Sequence, residues 1–165
     1  MAPPSLKIFV ISLDRAVDRR AHMQALLSAL GLTAEFVSAV DGAALTQADR
    51  SQYDARLARL NYRAEMTDTE IACYLSHDRI YERICSETLP LALILEDDIC
   101  IAPNFVEAVG ILAAQSDPAW TVVRLQTIRG KLLNPTSKQG RGRRVGALGA
   151  SELYQLDTHV LGGCA

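Results

Sequence analysis

Apolar positions along this chain fall into two rhythms. Leu6 to Leu13 (LKIFVISL) is a short run rich in β-branched and aromatic residues, which predicts a first strand. From about Ala16 to Leu30 the spacing changes. Met23, Leu26, Leu27 and Leu30 recur on one face of a helix, with Asp14 placed to cap its start and Gly31 to stop it. Glu35 to Val40 (EFVSAV) predicts a second strand, ended by the turn dipeptide Asp41-Gly42. Together these segments make a β-α-β unit. Thr46 with Asp49, and Thr67 with Glu70, have the spacing of capping boxes. They predict a polar helix to about Tyr62 and a second helix to about Ser86. The first has a weak apolar face, as a surface or lid element would.

Leu91-Ala92-Leu93-Ile94-Leu95 is a continuous apolar run, expected of a buried strand, central in a parallel sheet. It leads directly into Glu96-Asp97-Asp98. Open α/β sheets bind ligands at the carboxyl ends of their strands, where these charges fall. Pro103 suits the first turn of a helix to about Gln115, and Trp120 to Gln126 (WTVVRLQ) reads as a fourth strand. Residues 129–149 contain Gly, Lys and Arg but no acidic residue, and predict a basic flexible loop. Ser151 to Leu156 and His159 to Leu161 could be short strands. The expectation is one α/β domain over residues 1–165. Its final uncharged segment, Val160 to Ala165, reads as a core element cut short.

Composition narrows the function classes only modestly. A net charge of −2 gives no global argument for nucleic acid or anionic membranes, and the basic loop lacks interleaved aromatics for base stacking. No apolar run approaches the ~20 residues of a transmembrane helix. The N-terminus lacks the pattern of a signal peptide. Cys73, Cys85, Cys100 and Cys164 form no C-x-x-C pair and no disulfide framework. They are expected to be reduced thiols in a cytoplasmic protein, three of them buried.

Candidate chemistry begins at Glu96, Asp97 and Asp98. Crowded carboxylates need a positive partner, and a hard divalent cation is one. If the strand stays extended, Glu96 and Asp98 share a side. A solvated acidic loop is the plainer alternative. On the helix opened by Thr67, Glu70, Cys73 and His77 share a face that could line a nucleotide site. Yet Glu70 is also explained as the capping-box acid, His77 as a hydrogen-bonded structural histidine, and a zinc site there would be short of a fourth ligand. Arg15 and Arg19 follow the first strand, where a helix N-terminus can receive a phosphate. A salt-bridged helix start would use the same residues. Asp41 could bind a ribose or base, or simply make a turn.

The order of these segments adds what none carries alone. F-V-I-S-L-D-R-A-x-D-R-R from Phe9, F-V-S-A-V-D-G from Phe36, T-x-T-E-I-A-C-Y-L-S-H from Thr67 and L-I-L-E-D-D from Leu93 together resemble glycosyltransferase family 25. The resemblance covers roughly Lys7 to Phe105, and more loosely the rest. It implies a GT-A-like, Rossmann-like nucleotide-sugar domain. It also implies a UDP-sugar donor, most often UDP-galactose, and a Mn²⁺-type ion (or Mg²⁺) held by Glu96, Asp97 and Asp98. Transfer with inversion to a saccharide or lipid-linked saccharide in lipopolysaccharide synthesis would follow, with peripheral attachment at the inner face of the cytoplasmic membrane. By the same resemblance Glu70, Ser76 and His77 belong to an E-x-x-C-x-x-S-H signature, and Arg15, Arg19, Asp41 and Asp97 surround the nucleotide. The motif has Ala72 where the family commonly has Gly. Members usually continue past the point matching Ala165, which implies that the acceptor site is incomplete. The general base is unassigned, with Asp157 and Glu152 candidates by position only. Competing readings are an inactive or non-catalytic UDP-sugar-binding domain, a homodimer through an unfinished edge, and a Mg²⁺-dependent phosphohydrolase. The last does not require the other motifs in this order.

Overall fold

The computed structural model describes residues 5–115, 120–125 and 142–156. They fall into two compact units, one over residues 5–100 and one from residue 101 onward. The first unit is an α/β sheet. It contains β1 (Leu6–Ser12), α1 (Val17–Ala29), β2 (Glu35–Ser38), a 3₁₀ turn (Gly42–Ala44), α2 (Gln47–Ser51), α3 (Ala55–Tyr62), α4 (Asp68–Ser86) and β3 (Leu91–Glu96). The strands pair in parallel in the order β2-β1-β3. The central strand among the described residues is therefore β1, not the carboxylate-ended strand. Its residues Ile8 to Ser12 are all buried, as expected of a strand covered on both faces. β3 is more open, and of its residues only Leu95 is fully buried.

One side of the sheet is closed by α4. Phe9 and Ile11 of β1 pack with Ile80 of α4, and Val37, Ile84 and Ile94 border the cluster. Ile8 and Val10 alternate to the opposite face and are equally buried, as are Met23 and Leu27 of α1. α1 ends where the sequence predicts, with Gly31 in the left-handed region at φ +68°. Its start differs. Ala16 occupies the cap position without a side-chain bond. Asp14 instead accepts from Ser38 Oγ (2.6 Å) and lies near Arg20. Both capping boxes form as expected. The single polar helix expected up to Tyr62 is two helices, because Asp54 accepts from the Leu57 backbone N–H and caps α3 separately.

Arg83 on α4 ties the helix to the sheet edge. It reaches Glu35 of β2 at 2.6 Å and Glu87 at 2.9 Å, and lies 4.9 Å from the centre of the Phe9 ring. Arg83, then Lys7, hold the Glu35 carboxyl down at about 2, from an ordinary 4.5. A carboxylate depressed on folding contributes stability that is complete above 4.5 and lost as pH falls through the folded value. Between pH 4.5 and about 2 the wild-type chain should lose roughly 1 kcal/mol more stability than Glu35→Gln, the small size reflecting a half-exposed pair. Denaturant titrations at fixed pH steps measure this difference. Equal losses in both proteins would refute the linkage.

The second unit holds α5 (Phe105–Ala113) and an antiparallel pair, β4 (Gly142–Leu148) and β5 (Ser151–Leu156). Ala108, Leu112 and Leu148 form its core, bordered by Trp120, Val123 and Leu153. Three expectations change here. Trp120 to Leu125 form no strand, although Trp120 and Val123 still pack on the core; Gln126 lies outside the described residues. The basic segment is a strand from Gly142, carrying Arg143 and Arg144, while residues 129–141 lie outside the described residues. His159 to Leu161 lie outside them too. Cys73 is half-buried and Cys85 and Cys100 are exposed, so none of the described cysteines is fully buried. No helix among the described residues is long and apolar enough to cross a membrane.

Candidate functional site at the carboxyl ends of the strands

Parallel strands bring their carboxyl ends to one side, and Ser12, Glu96, Asp97 and Asp98 lie at or just past two of those ends. Ser12 is the last residue of β1. It is buried and follows the apolar run Ile8 to Ile11, so its hydroxyl must find a partner. The partner is Asp97, just past the end of β3, which accepts from Ser12 Oγ at 2.7 Å. Asp97 is itself buried. Sequence reasoning missed Ser12. The available signal was a single polar residue ending a buried strand.

Glu96 is the final residue of β3, and Asp97 and Asp98 already lie in a turn. The alternation expected to place Glu96 beside Asp98 therefore stops at Glu96. The carboxylates hold different partners. Glu96 Oε1 lies 3.2 Å from His77 Nε2 on α4. Asp97 and Asp98 both face Arg19, on the first turn of α1, at 3.4 and 3.5 Å. These separations exceed a close charge-assisted bond of about 2.7–2.9 Å. Arg19 is 46% exposed, so its guanidinium neutralises the pair without being locked to it.

The donor chemistry of Asp97 and Asp98 fits a hard divalent ion. Both offer carboxylate oxygens, and the bond from Ser12 occupies only one oxygen of Asp97.

Arg15 and Asp41 meet each other. The Arg15 fork donates to both oxygens of Asp41, at 2.9 and 3.1 Å. Asp41 also accepts from the Ala43 backbone N–H at 3.0 Å. Arg15, then that backbone bond, depress the Asp41 carboxyl to about 2. The Asp41-Gly42 turn lies tightly against the start of α4, where a Cβ on Gly42 would stand 3.1 Å from the Asp68 carbonyl oxygen and the Thr69 Cα. Only glycine fits that approach without displacing the backbone.

Ser76 and Glu70 serve the frame of the site. Ser76 Oγ accepts from the Val40 N–H at 2.9 Å and donates to the Ala72 carbonyl at 2.7 Å, joining the end of β2 to α4. Glu70 closes the capping box on Thr67 at 2.7 Å. In the second unit Glu152 is held by Tyr154, which donates at 2.7 Å, and by Arg144 at 2.8 Å. Those bonds keep its carboxyl below the usual range. Asp157 lies outside the described residues.

Comparison with known proteins bears on this arrangement. The model of "Glycosyltransferase family 25 (LPS biosynthesis protein)" matches residues 5–139. A glycosyltransferase 25 family member of Anopheles gambiae is 36% identical over 124 residues, covering 70% of this chain and 21% of that protein. Procollagen galactosyltransferase 2 of Mus musculus is 28% identical over 136 residues, covering 78% of this chain and 22% of its own length. Inactive glycosyltransferase 25 family member 3 of Homo sapiens is 34% identical over 104 residues, covering 60% and 17%. The chain thus spans about a fifth of the length of these curated relatives. With its family model matched over most of its length, the chain belongs to glycosyltransferase family 25.

Proposed function

We propose that this chain carries the donor-binding half of a metal-dependent glycosyltransferase with a GT-A-like sheet. The donor is a UDP-sugar. Galactose is the sugar favoured by the name of the mouse relative. The acceptor is a saccharide, and the LPS biosynthesis of the family's description favours a lipid-linked one at the inner face of the cytoplasmic membrane. The observation that carries the reading is the Asp97–Asp98 pair just past the end of β3, with Asp97 held by Ser12 at the end of β1 and both carboxylates faced by Arg19.

Asp97 and Asp98 would hold Mn²⁺ or Mg²⁺. When bound, the ion supplies Lewis-acid stabilisation of the departing diphosphate. Ser12 keeps the buried Asp97 carboxylate in one orientation. Arg19, released from the carboxylates, is in reach of an anion arriving at the same strand ends, and its fork geometry suits phosphate oxygens. The Arg15–Asp41 pair gives that side a fixed polar rim. Inverting transfer also needs a general base beside the acceptor hydroxyl. Glu152, engaged by Tyr154 and Arg144, is poorly disposed to serve, which leaves Asp157 as the positional candidate.

A second reading has specific support. Arg19 already balances Asp97 and Asp98, so the pair can persist without an ion, and the human and mouse family member 3 proteins are named inactive. On this reading the chain binds a nucleotide sugar and transfers nothing. Calorimetric titration of the wild-type chain with UDP, with and without Mn²⁺, tests what the two readings share. Binding that requires Mn²⁺ is expected, and absence of binding by a folded chain would overturn both. A mass-based assay for sugar transfer to saccharide acceptors then separates them.

A further inference from the structure

The His77–Glu96 contact belongs to a larger grouping. Cys73, His77 and Glu96 bring a thiol, an imidazole nitrogen and a carboxylate oxygen within 4.8 Å of one another. We propose that these three residues form a binding site for a borderline transition-metal ion of the Zn²⁺ class, distinct from the Asp97–Asp98 pair. Neither the family's description nor the relatives' names assigns such a site, and the proposal does not depend on the donor reading.

The geometry follows from two regular elements. Residues 73 and 77 are four apart on α4, so their side chains stand one turn apart on the same face. Glu96 ends β3 and turns to meet them. The helix face is fixed from both directions. The Thr67–Glu70 capping box sets the start of α4, and Ser76 bonds the Val40 N–H. The same capping box removes Glu70 from the grouping that sequence spacing alone proposed, and Glu96 takes its place.

Distances and donor types fit one class of ion. In a tetrahedral zinc site, nitrogen and oxygen ligands lie about 2.0 Å from the metal and sulfur about 2.3 Å, so neighbouring donors stand roughly 3.3–3.6 Å apart. The His77–Glu96 edge already measures 3.2 Å. With no separation above 4.8 Å, a side-chain shift of about 1 Å brings the thiol into range. Three protein ligands and one open position make a familiar zinc arrangement. His77 and Glu96 are 23% and 27% exposed, which leaves a path for the ion and room for water as the fourth ligand. Sulfur, nitrogen and oxygen together favour Zn²⁺ or Co²⁺ over Mn²⁺ or Mg²⁺, whereas Asp97 and Asp98 offer only oxygen. Glu96 would thereby leave the acidic triplet and act with α4. A bound ion would join α4 to the end of β3, one residue from Asp97.

Co²⁺ is the probe of choice, because a cobalt–thiolate bond absorbs in the near ultraviolet while zinc is silent. The full chain is titrated as Cys85→Ser/Cys100→Ser/Cys164→Ser, which leaves Cys73 as the sole thiol. A thiolate–cobalt band saturating at one equivalent is expected, displaced by Zn²⁺ but not by Mg²⁺. Cys73→Ser should abolish the band. His77→Ala and Glu96→Gln should each weaken Co²⁺ binding by at least about tenfold. Asp98→Asn should leave it intact. Zn²⁺ should also raise the thermal midpoint of the triple variant and of the unmutated chain, a readout that needs no change at Cys73. The proposal fails if the folded triple variant gives no band, if the Cys73→Ser protein keeps it, or if Asp98→Asn removes it. The titration contains no nucleotide, so failure of UDP binding would leave this result standing, and the reverse also holds.

Discussion

Asp98→Asn should fold as the wild type does and lose Mn²⁺-dependent UDP affinity by about 100-fold or more, the expected cost of deleting a metal-ligand charge being at least the 10–100-fold seen for outer-shell partners. The substitution keeps the side chain's shape and removes its charge. Asp98 is 46% exposed, and its ion pair with Arg19 at 3.5 Å is long, so stability should change by less than about 1 kcal/mol. Asp97→Asn is the informative contrast. Asp97 is buried and accepts from Ser12, so its amide must be accommodated away from water, and a loss of roughly 1–3 kcal/mol of stability should accompany the loss of affinity. Calorimetry of UDP binding with Mn²⁺, beside urea unfolding of both variants, checks the pair of expectations. Unchanged Mn²⁺-dependent affinity in Asp98→Asn would remove this residue from the site.

The largest effect on stability is expected from Phe9→Ala, at about 3–5 kcal/mol. Phe9 is fully buried in the central strand. Ile11, Ile80 and the bordering Val37, Ile84 and Ile94 belong to the same cluster, and Arg83 and Lys7 lie over the ring. Deleting the ring leaves a cavity between sheet and α4 and removes the surface on which Arg83 rests. Against a typical total stability of about 5–15 kcal/mol, the variant should be near the limit of folding. The urea midpoint should fall steeply with little change in slope, and Phe9→Leu should recover much of the loss. A midpoint shift equivalent to less than about 1 kcal/mol would show that the cluster does not carry the fold.

Much of the first unit was legible in the sequence because local signals and tertiary packing agree there. The Thr67–Glu70 box announces the start of α4, and in the fold Ile71, Leu75 and Ile80 of that helix are buried. Disagreement marks the misreadings. Asp54 could be taken as an ordinary polar position in one helix until its side chain is seen closing on Leu57 N–H. Trp120 to Leu125 has strand composition, but Val122 is 73% exposed and the segment contributes side chains to a core without joining a ladder. The apolar run before Glu96 correctly announced a strand. It could not announce the neighbours, because pairing order is a long-range property.

The site followed the same division. Asp97, Asp98 and Arg19 were legible as charges at strand ends. That Arg15 and Asp41 would satisfy each other, and that Glu96 would turn to His77 rather than stay with Asp98, depends on where β3 stops and how α4 lies. Ser12 was hidden for a simpler reason, since a serine within an apolar strand is unremarkable until its partner is known.

The Ser12–Asp97 bond joins residues 85 positions apart, and it has a temporal consequence. Contacts of such separation form only after the loop between them has been closed, so they slow folding relative to local helix formation. During synthesis, α1 and α4 can take shape from nearby residues, while the Asp97 carboxylate meets Ser12 only once β3 has emerged and docked beside β1. If the proposed ion binds here, the carboxylate arrangement that would hold it is acquired late, and a chain interrupted before β3 would lack Asp97 and Asp98 altogether.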